Sequence, residues 1–146
     1  MPSDEDLCAF IPDGSPGDFI LLIGAENNLA AGYGHVAEWT AGTFDLERDF
    51  YPYPNAHFKA VVCCDVLETL TQDPMYMMDE IHRVLRPGCH LVLSTRRFTA
   101  EQTGALLENC GLAVTRIESN GERVLAAAKK VGAVRERYPK LLYPER

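Results

Sequence analysis

Apolar positions along the chain follow two alternating patterns. Phe19-Ile20-Leu21-Leu22-Ile23 is an unbroken apolar run of strand length closed by Gly24, and Phe58 to Cys64 is interrupted only by Lys59. Runs that are apolar on both faces mark central strands of a covered parallel sheet. His90 to Thr95 reads as another such strand, and His35 to Trp39 and Thr43 to Leu46 as two shorter ones. Between the second and third runs the period changes. Met78, Ile81, Val84 and Leu85 recur at i, i+3, i+6 and i+7, one buried helical stripe. Asp73 suits the N-cap of that helix, and Pro74 its first position, where a missing N–H costs nothing. Pro87-Gly88 is the predicted stop, and Asp79, Glu80, His82 and Arg83 fall off the stripe, with His82 expected in solvent.

Thr99-Ala100-Glu101-Gln102 has the spacing of a capping box and opens a second helix. Its buried positions are Leu106, Leu107 and Cys110, and Gly111 ends it. Leu112 to Ile117 and Arg123 to Ala128 then flank Ser119-Asn120-Gly121, whose Asn-Gly step is a hairpin signal. Strands and helices that alternate and then close in a hairpin predict an α/β fold. It is a Rossmann-like, doubly wound, mostly parallel sheet with helices on both faces and a C-terminal antiparallel hairpin. Residues 1–18, polar and rich in Pro and Gly, read as a lead-in, 19–131 as one domain, and 132–146 as a charged tail. In such sheets ligands sit beyond the carboxyl ends of the strands, near the point where strand order reverses. Those ends fall at Gly24 to Asn27, Glu38, Asp45 to Asp49, Cys64 to Leu67 and Ser94-Thr95.

Charge narrows the partners. The chain has 14 basic and 21 acidic residues, a net charge of −7, and its basic residues are scattered apart from Arg96-Arg97 and Lys129-Lys130. A protein living on phosphate contacts usually shows a basic face, so DNA or structured RNA is not an expected partner. Five cysteines occur without any CxxC, and the adjacent Cys63 and Cys64 point to opposite faces of their strand. They read as reduced thiols, with no metal site. The acidic start lacks the apolar core of a secretory signal, and no apolar run reaches the ~18–20 residues of a membrane span. A cytoplasmic protein is the expectation, alone or as a homo- or hetero-oligomer.

Particular words of the sequence add chemistry. Asp65-Val66-Leu67-Glu68 closes one strand, Asp73-Pro74 opens the following helix, and Arg83-Val84-Leu85-Arg86-Pro87-Gly88 precedes the next strand. Together they resemble the class I S-adenosylmethionine-dependent methyltransferases. The resemblance implies S-adenosyl-L-methionine as cofactor and a methyl acceptor as substrate. It places the donor's amino-acid portion on the first loop, at Gly24, Ala25 and Glu26. Glu38, at the end of the short second strand, and Asp45, 21 residues past Gly24, are rival candidates for the ribose carboxylate. Asp49 and Phe50 precede an aromatic-Pro turn and are candidates for the adenine side, with Phe50 also suited to packing on the sheet. Asp65 and Val66 belong beside the reactive methyl group. Asp65 and His57, which lies before its strand where an acceptor can enter, are the catalytic candidates. Tyr33 and His35 are candidates for a covering loop.

The chain departs from the family pattern at several positions. Relatives carry acidic-x-Gly-x-Gly-x-Gly on the first loop, whereas Leu22-Ile23-Gly24-Ala25-Glu26-Asn27-Asn28 keeps one glycine. Thr69 stands where many have a histidine base, Lys59 where they have Asp, and Cys89 where they have Gly. Thr69 has no useful pKa near neutrality, which argues against a hydroxyl acceptor needing deprotonation. Two readings stay open: a methyltransferase acting on a small-molecule or glycan-type acceptor, and a non-catalytic protein of this fold serving as a partner or regulatory subunit. A nicotinamide dehydrogenase needs Gly-x-Gly-x-x-Gly at the first turn, which Gly24 to Leu29 lacks.

Overall fold

A computed structural model describes residues 7, 9–25, 30, 32–40 and 42–131 of the chain. The predicted first-loop residue Glu26 therefore lies outside the described residues, as does the tail. The two apolar runs form neighbouring parallel strands: β1 (Phe19–Ile23) pairs with β3 (Phe58–Cys64) on one side and β2 (His35–Trp39) on the other. β4 (Leu85–Thr95) continues the parallel set beside β3. The hairpin strands β5 (Leu112–Asn120) and β6 (Arg123–Lys130) complete a six-stranded sheet of order β2-β1-β3-β4-β6-β5, with β6 antiparallel to both neighbours. The predicted mostly parallel α/β fold with its antiparallel hairpin is what forms. Strand order reverses between β1 and β3, so their carboxyl ends flank the switch point.

The two-residue period of the strands divides the core cleanly. Leu21, Ile23, Val61, Cys63, Leu91, Leu93, Ala126 and Ala128 face one way, and Ile20, Leu22, Ala60, Val62, Val92, Leu125 and Ala127 the other. The first face is covered by α1 (Met75–Val84), α2 (Ala100–Asn109) and the segment 44–53. Met78, Ile81, Val84 and Leu85 are all fully buried there, as their spacing predicts. Each such side chain contributes roughly 2 kcal/mol of hydrophobic stabilisation. The second face is covered by Leu7, Phe10, Ala30 and Tyr33. Both faces of the sheet are thus covered: α1, α2 and the 44–53 segment lie over the first, and the amino-terminal segment, helical at Leu7, lies over the second with the helical turn at Ala30. The lead-in contributes core through Leu7 and Phe10.

Four local expectations are corrected. Thr43 to Leu46 is a turn region, not a strand, which leaves β2 at the sheet edge. Here Phe44 packs against Trp39 and its carbonyl accepts the Trp39 indole N–H at 2.7 Å, contacts that fold the segment back. Second, α1 ends at Val84, before Pro87-Gly88, and β4 begins at Leu85. Pro87 and Gly88 sit within a bulge, where Phe58 pairs with Leu85 but Ala60 already pairs with His90. A buried amine explains the earlier end: Lys130 Nζ donates to the carbonyls of His82 and Leu85 at 2.7 and 2.8 Å, satisfying the last turn of α1. Third, His82 is 5% exposed, because the last turn of α1 is closed over by β6. Finally, the hairpin loop is Gly121-Glu122, one residue later than Asn120-Gly121 suggests. Gly121 has φ +66° and Glu122 has no positive φ, the pattern of a type II′ turn with glycine leading.

Candidate active site at the carboxyl edge of the sheet

Past Ile23 the chain turns at Gly24, φ +74°. A Cβ added there would stand 2.8 Å from both the Cys64 carbonyl oxygen and Val66 Cγ2. Gly24 is therefore seated directly against the end of β3, and only glycine permits that approach. This explains why one glycine persists where the rest of the pattern has gone. Ala25 follows it, partly buried against the second core face.

The end of β3 is shaped by Asp65, which has φ +54°, a left-handed geometry that Asp tolerates better than most residues. Its amide N–H is shared between the Ser94 carbonyl and Ser94 Oγ, both at 3.0 Å. The Ser94 hydroxyl donates to Asp65 Oδ1 at 2.9 Å, and Arg123 Nε donates to the same oxygen at 3.3 Å. Arg123 is 3% exposed and its Nη2 also reaches Ser94 Oγ at 3.1 Å and Cys64 Sγ at 3.4 Å. A buried guanidinium needs such partners to offset the desolvation of its charge. Asp65 itself is about one-third exposed, with a side-chain accessibility of 32%, so a carboxylate fixed in position still faces the edge. Val66 is buried behind it.

The next turn is tied down as firmly. Glu68 accepts from the Thr95 hydroxyl at 2.7 Å and from the Arg96 amide at 3.0 Å, bridging the ends of β3 and β4. Arg97 Nη1 donates to the Leu67 carbonyl at 3.0 Å. Thr69, at the position where a histidine base was sought, gives its hydroxyl to the Val66 carbonyl at 2.7 Å and closes the turn.

The predicted ribose and adenine residues lie in two places. Glu38 is exposed near the end of β2, paired in register with Leu22 of β1. Asp45 and Asp49 belong to one turn: Asp49 Oδ2 accepts from the Asp45 amide at 2.7 Å, and Asp45 Oδ1 from the Glu47 amide at 2.9 Å. Both carboxylates thus organise local backbone. Glu47, which the sequence reading passed over, accepts from the Thr71 and Gln72 amides at 3.1 and 2.9 Å. Those hydrogen bonds, Thr71's first, hold its carboxyl below the usual glutamate range. Phe50 is 70% exposed with the Arg83 guanidinium 4.2 Å over its ring. The packing role suggested for Phe50 falls to Tyr51 instead. Tyr51 is fully buried, its hydroxyl donates to the Leu46 carbonyl, and its amide donates to Glu80 Oε1. Burial pushes the Tyr51 hydroxyl pKa well up, so it remains a neutral donor.

Other predicted site residues are not brought to this edge. His57 precedes β3 and Asp65 follows it, about 25 Å apart along a strand of that length. His57 instead stacks on Phe19 at 4.3 Å between ring centroids, with His35 on the same ring at 4.3 Å, at the amino ends of the strands. Tyr33 is buried, its hydroxyl donating to the Pro12 carbonyl at 2.7 Å, and burial raises its pKa to about 12. Tyr33 and His35 therefore fasten the amino edge rather than cover the carboxyl edge. Conversely, Arg123 escaped the sequence reading, because a charged residue opening a hairpin strand looks solvated. The available signal was its place at the start of a strand otherwise apolar to Ala128.

Comparison with known proteins bears on the fold. The family described as "Methyltransferase domain" matches residues 33–93. No curated protein matches the sequence. Among solved structures, a chain from the complex between the Haloferax volcanii Trm112 methyltransferase activator and a candidate methyltransferase superposes with TM-score 0.72 at 12% identity, covering 88% of this chain and 89% of that one. A SAM-dependent methyltransferase from Aquifex aeolicus gives TM-score 0.61 at 13% identity over 88% and 89% of the two chains. Geranyl diphosphate C-methyltransferase from Streptomyces coelicolor A3(2), in complex with Mg2+, geranyl diphosphate and S-adenosyl-L-homocysteine, gives 0.61 at 14% over 87% and 79%. At these identities the likenesses speak to the fold.

Proposed function

We propose that this chain, a member of the class I S-adenosylmethionine-dependent methyltransferase family, binds S-adenosylmethionine at the carboxyl edge between β1 and β3. There it methylates a small-molecule or glycan-type acceptor. The observation that carries the reading is Gly24 pressed against Cys64 and Val66, beside the fixed carboxylate of Asp65. A tight glycine turn at the switch point is what lets backbone groups approach a ligand closely. When bound, the cofactor supplies a methyl group on a positively charged sulfur. In this reading Gly24 and Ala25 receive its amino-acid portion, with Glu26 as a further contact. Glu38 or Asp45 meets the ribose, Asp49 and Phe50 border the adenine, and Asp65 with Val66 positions the reacting end. Ser94 and Arg123 act through Asp65 by fixing its rotamer. For an acceptor that is already nucleophilic no residue is needed as a strong base, and alignment supplies much of the rate; a glycan hydroxyl would have to lose its proton as well.

One observation favours a second reading, a methyltransferase-fold subunit without catalysis. Asp65 Oδ1 already accepts from both Ser94 and Arg123, so part of its capacity is spent within the protein. The structural neighbour held with the Trm112 activator is itself part of a complex. Asp65→Asn separates the two readings. It retains one acceptor oxygen and a residue tolerant of positive φ, while it removes the charge and turns the other oxygen into an NH2 donor. The enzyme reading expects S-adenosylhomocysteine affinity to fall about tenfold, the size of one charge-assisted hydrogen bond. The variant should be less stable, because Arg123 loses its counter-charge, but still folded by its amide spectrum. Unchanged affinity would place the ligand elsewhere.

A further inference from the structure

We infer that the cleft between the end of β4 and the β5–β6 hairpin binds the acceptor through an anionic group, a carboxylate or phosphate on a small molecule. This deepens the reading above and rests on it for the word acceptor. The cleft measures about 480 Å³ and is lined by Arg96, Arg97, Phe98, Thr99, Glu122 and Val124, among others. It lies at the same carboxyl edge of the sheet: Arg97 on its wall donates to the carbonyl of Leu67, two residues after Asp65. Val124 follows Arg123, which holds Asp65, and pairs in register with Thr95.

The charges in its walls are unbalanced. Arg96 and Arg97 stand against the single carboxylate of Glu122. The nearby Glu68 carboxylate keeps its charge; its oxygens accept from the Thr95 hydroxyl and the Arg96 amide and leave both guanidinium groups to the cleft. In a protein of net charge −7, the adjacent pair Arg96-Arg97 at a strand end is a local exception. Arg97 is anchored by its bond to the Leu67 carbonyl and lies 5.0 Å over the Phe98 ring. Arg96 is exposed on the same wall. Guanidinium groups are suited to planar, paired recognition of carboxylate and phosphate oxygens. Phe98 offers apolar surface for the body of the same molecule. Two arginines on one wall fit a single anionic group; a nucleic-acid backbone would need a longer basic track.

The test uses the full chain, labelled for amide NMR, titrated with benzoate, phenyl phosphate and neutral benzyl alcohol, each with and without S-adenosylhomocysteine. The inference expects saturable shifts at the amides of Arg96 to Thr99, Gly121 and Glu122 with one or both anions and none with benzyl alcohol. Arg96→Glu should weaken anion binding at least about tenfold and leave S-adenosylhomocysteine affinity unchanged. Arg96→Gln, without reversed charge, should show the same direction if the first variant folds poorly. Equal shifts with benzyl alcohol, or anion affinity indifferent to both variants, would overturn it. S-adenosylhomocysteine binding with no anion shifts sinks this inference alone. Anion binding without S-adenosylhomocysteine binding sustains the cleft and sinks the donor reading.

Discussion

At Gly24 a methyl group would meet backbone, the Cys64 carbonyl oxygen, rather than a side chain able to swing away, and φ is +74°. Gly24→Ala should therefore lower stability in urea unfolding by roughly 1–3 kcal/mol. A change under half a kcal/mol would mean that β1 and β3 are not seated as described. Arg123 is the second decisive residue. Arg123→Ala leaves the Ser94–Asp65 pair intact but removes the buried cation that fixes it. It should weaken S-adenosylhomocysteine binding in calorimetry, while Arg123→Lys, which keeps the charge, recovers part of the loss. Equal affinities in all three proteins would make Arg123 purely structural. At this scale the sequence was informative about Asp65 and Gly24, whose types are demanded by backbone geometry. It was silent about Arg123 and Glu47, because their partners lie far along the chain or in turns without a signature.

At the scale of elements, periodicity and caps were legible. The Thr99–Gln102 capping box forms in both directions, at 3.1 and 3.0 Å, as its spacing predicts. Thr99→Ala should cost about 1 kcal/mol, read from thermal unfolding. The misreadings share a cause: a tertiary contact outweighed a local signal. Lys130 reaches across from β6 to end α1 early, and Trp39 and Phe44 fold back the segment expected to be a strand. The link between the 45–49 turn and residues 71–72 rests on Glu47 and is sensitive to acid. Because folding lowers its pKa, its stabilisation is complete above the ordinary glutamate value. It is lost as pH falls through the lower folded value. The Thr71 and Gln72 amide resonances should thus move together below about pH 4 and stay fixed in Glu47→Gln. Movement in that variant would assign the transition to another group.

For the whole molecule, one edge of the sheet gathers Gly24, Asp65, Glu68, Ser94 and Arg123, while the opposite edge is fastened by Phe19, His35 and His57. In doubly wound sheets ligands sit in the crevice at the carboxyl ends of the strands, where the connections leaving the strands on either side of the order reversal diverge; here that is between β1 and β3. Among the described residues no helix is long and apolar enough to cross a membrane, and no cluster of His, Cys, Asp and Glu is placed to hold a metal ion. Calorimetric titration of the purified chain with S-adenosylmethionine and S-adenosylhomocysteine tests the cofactor reading most directly. The account predicts saturable binding at one site with micromolar affinity, weakened by Asp65→Asn. No heat of binding up to millimolar ligand would contradict it and leave the fold as a scaffold for a partner.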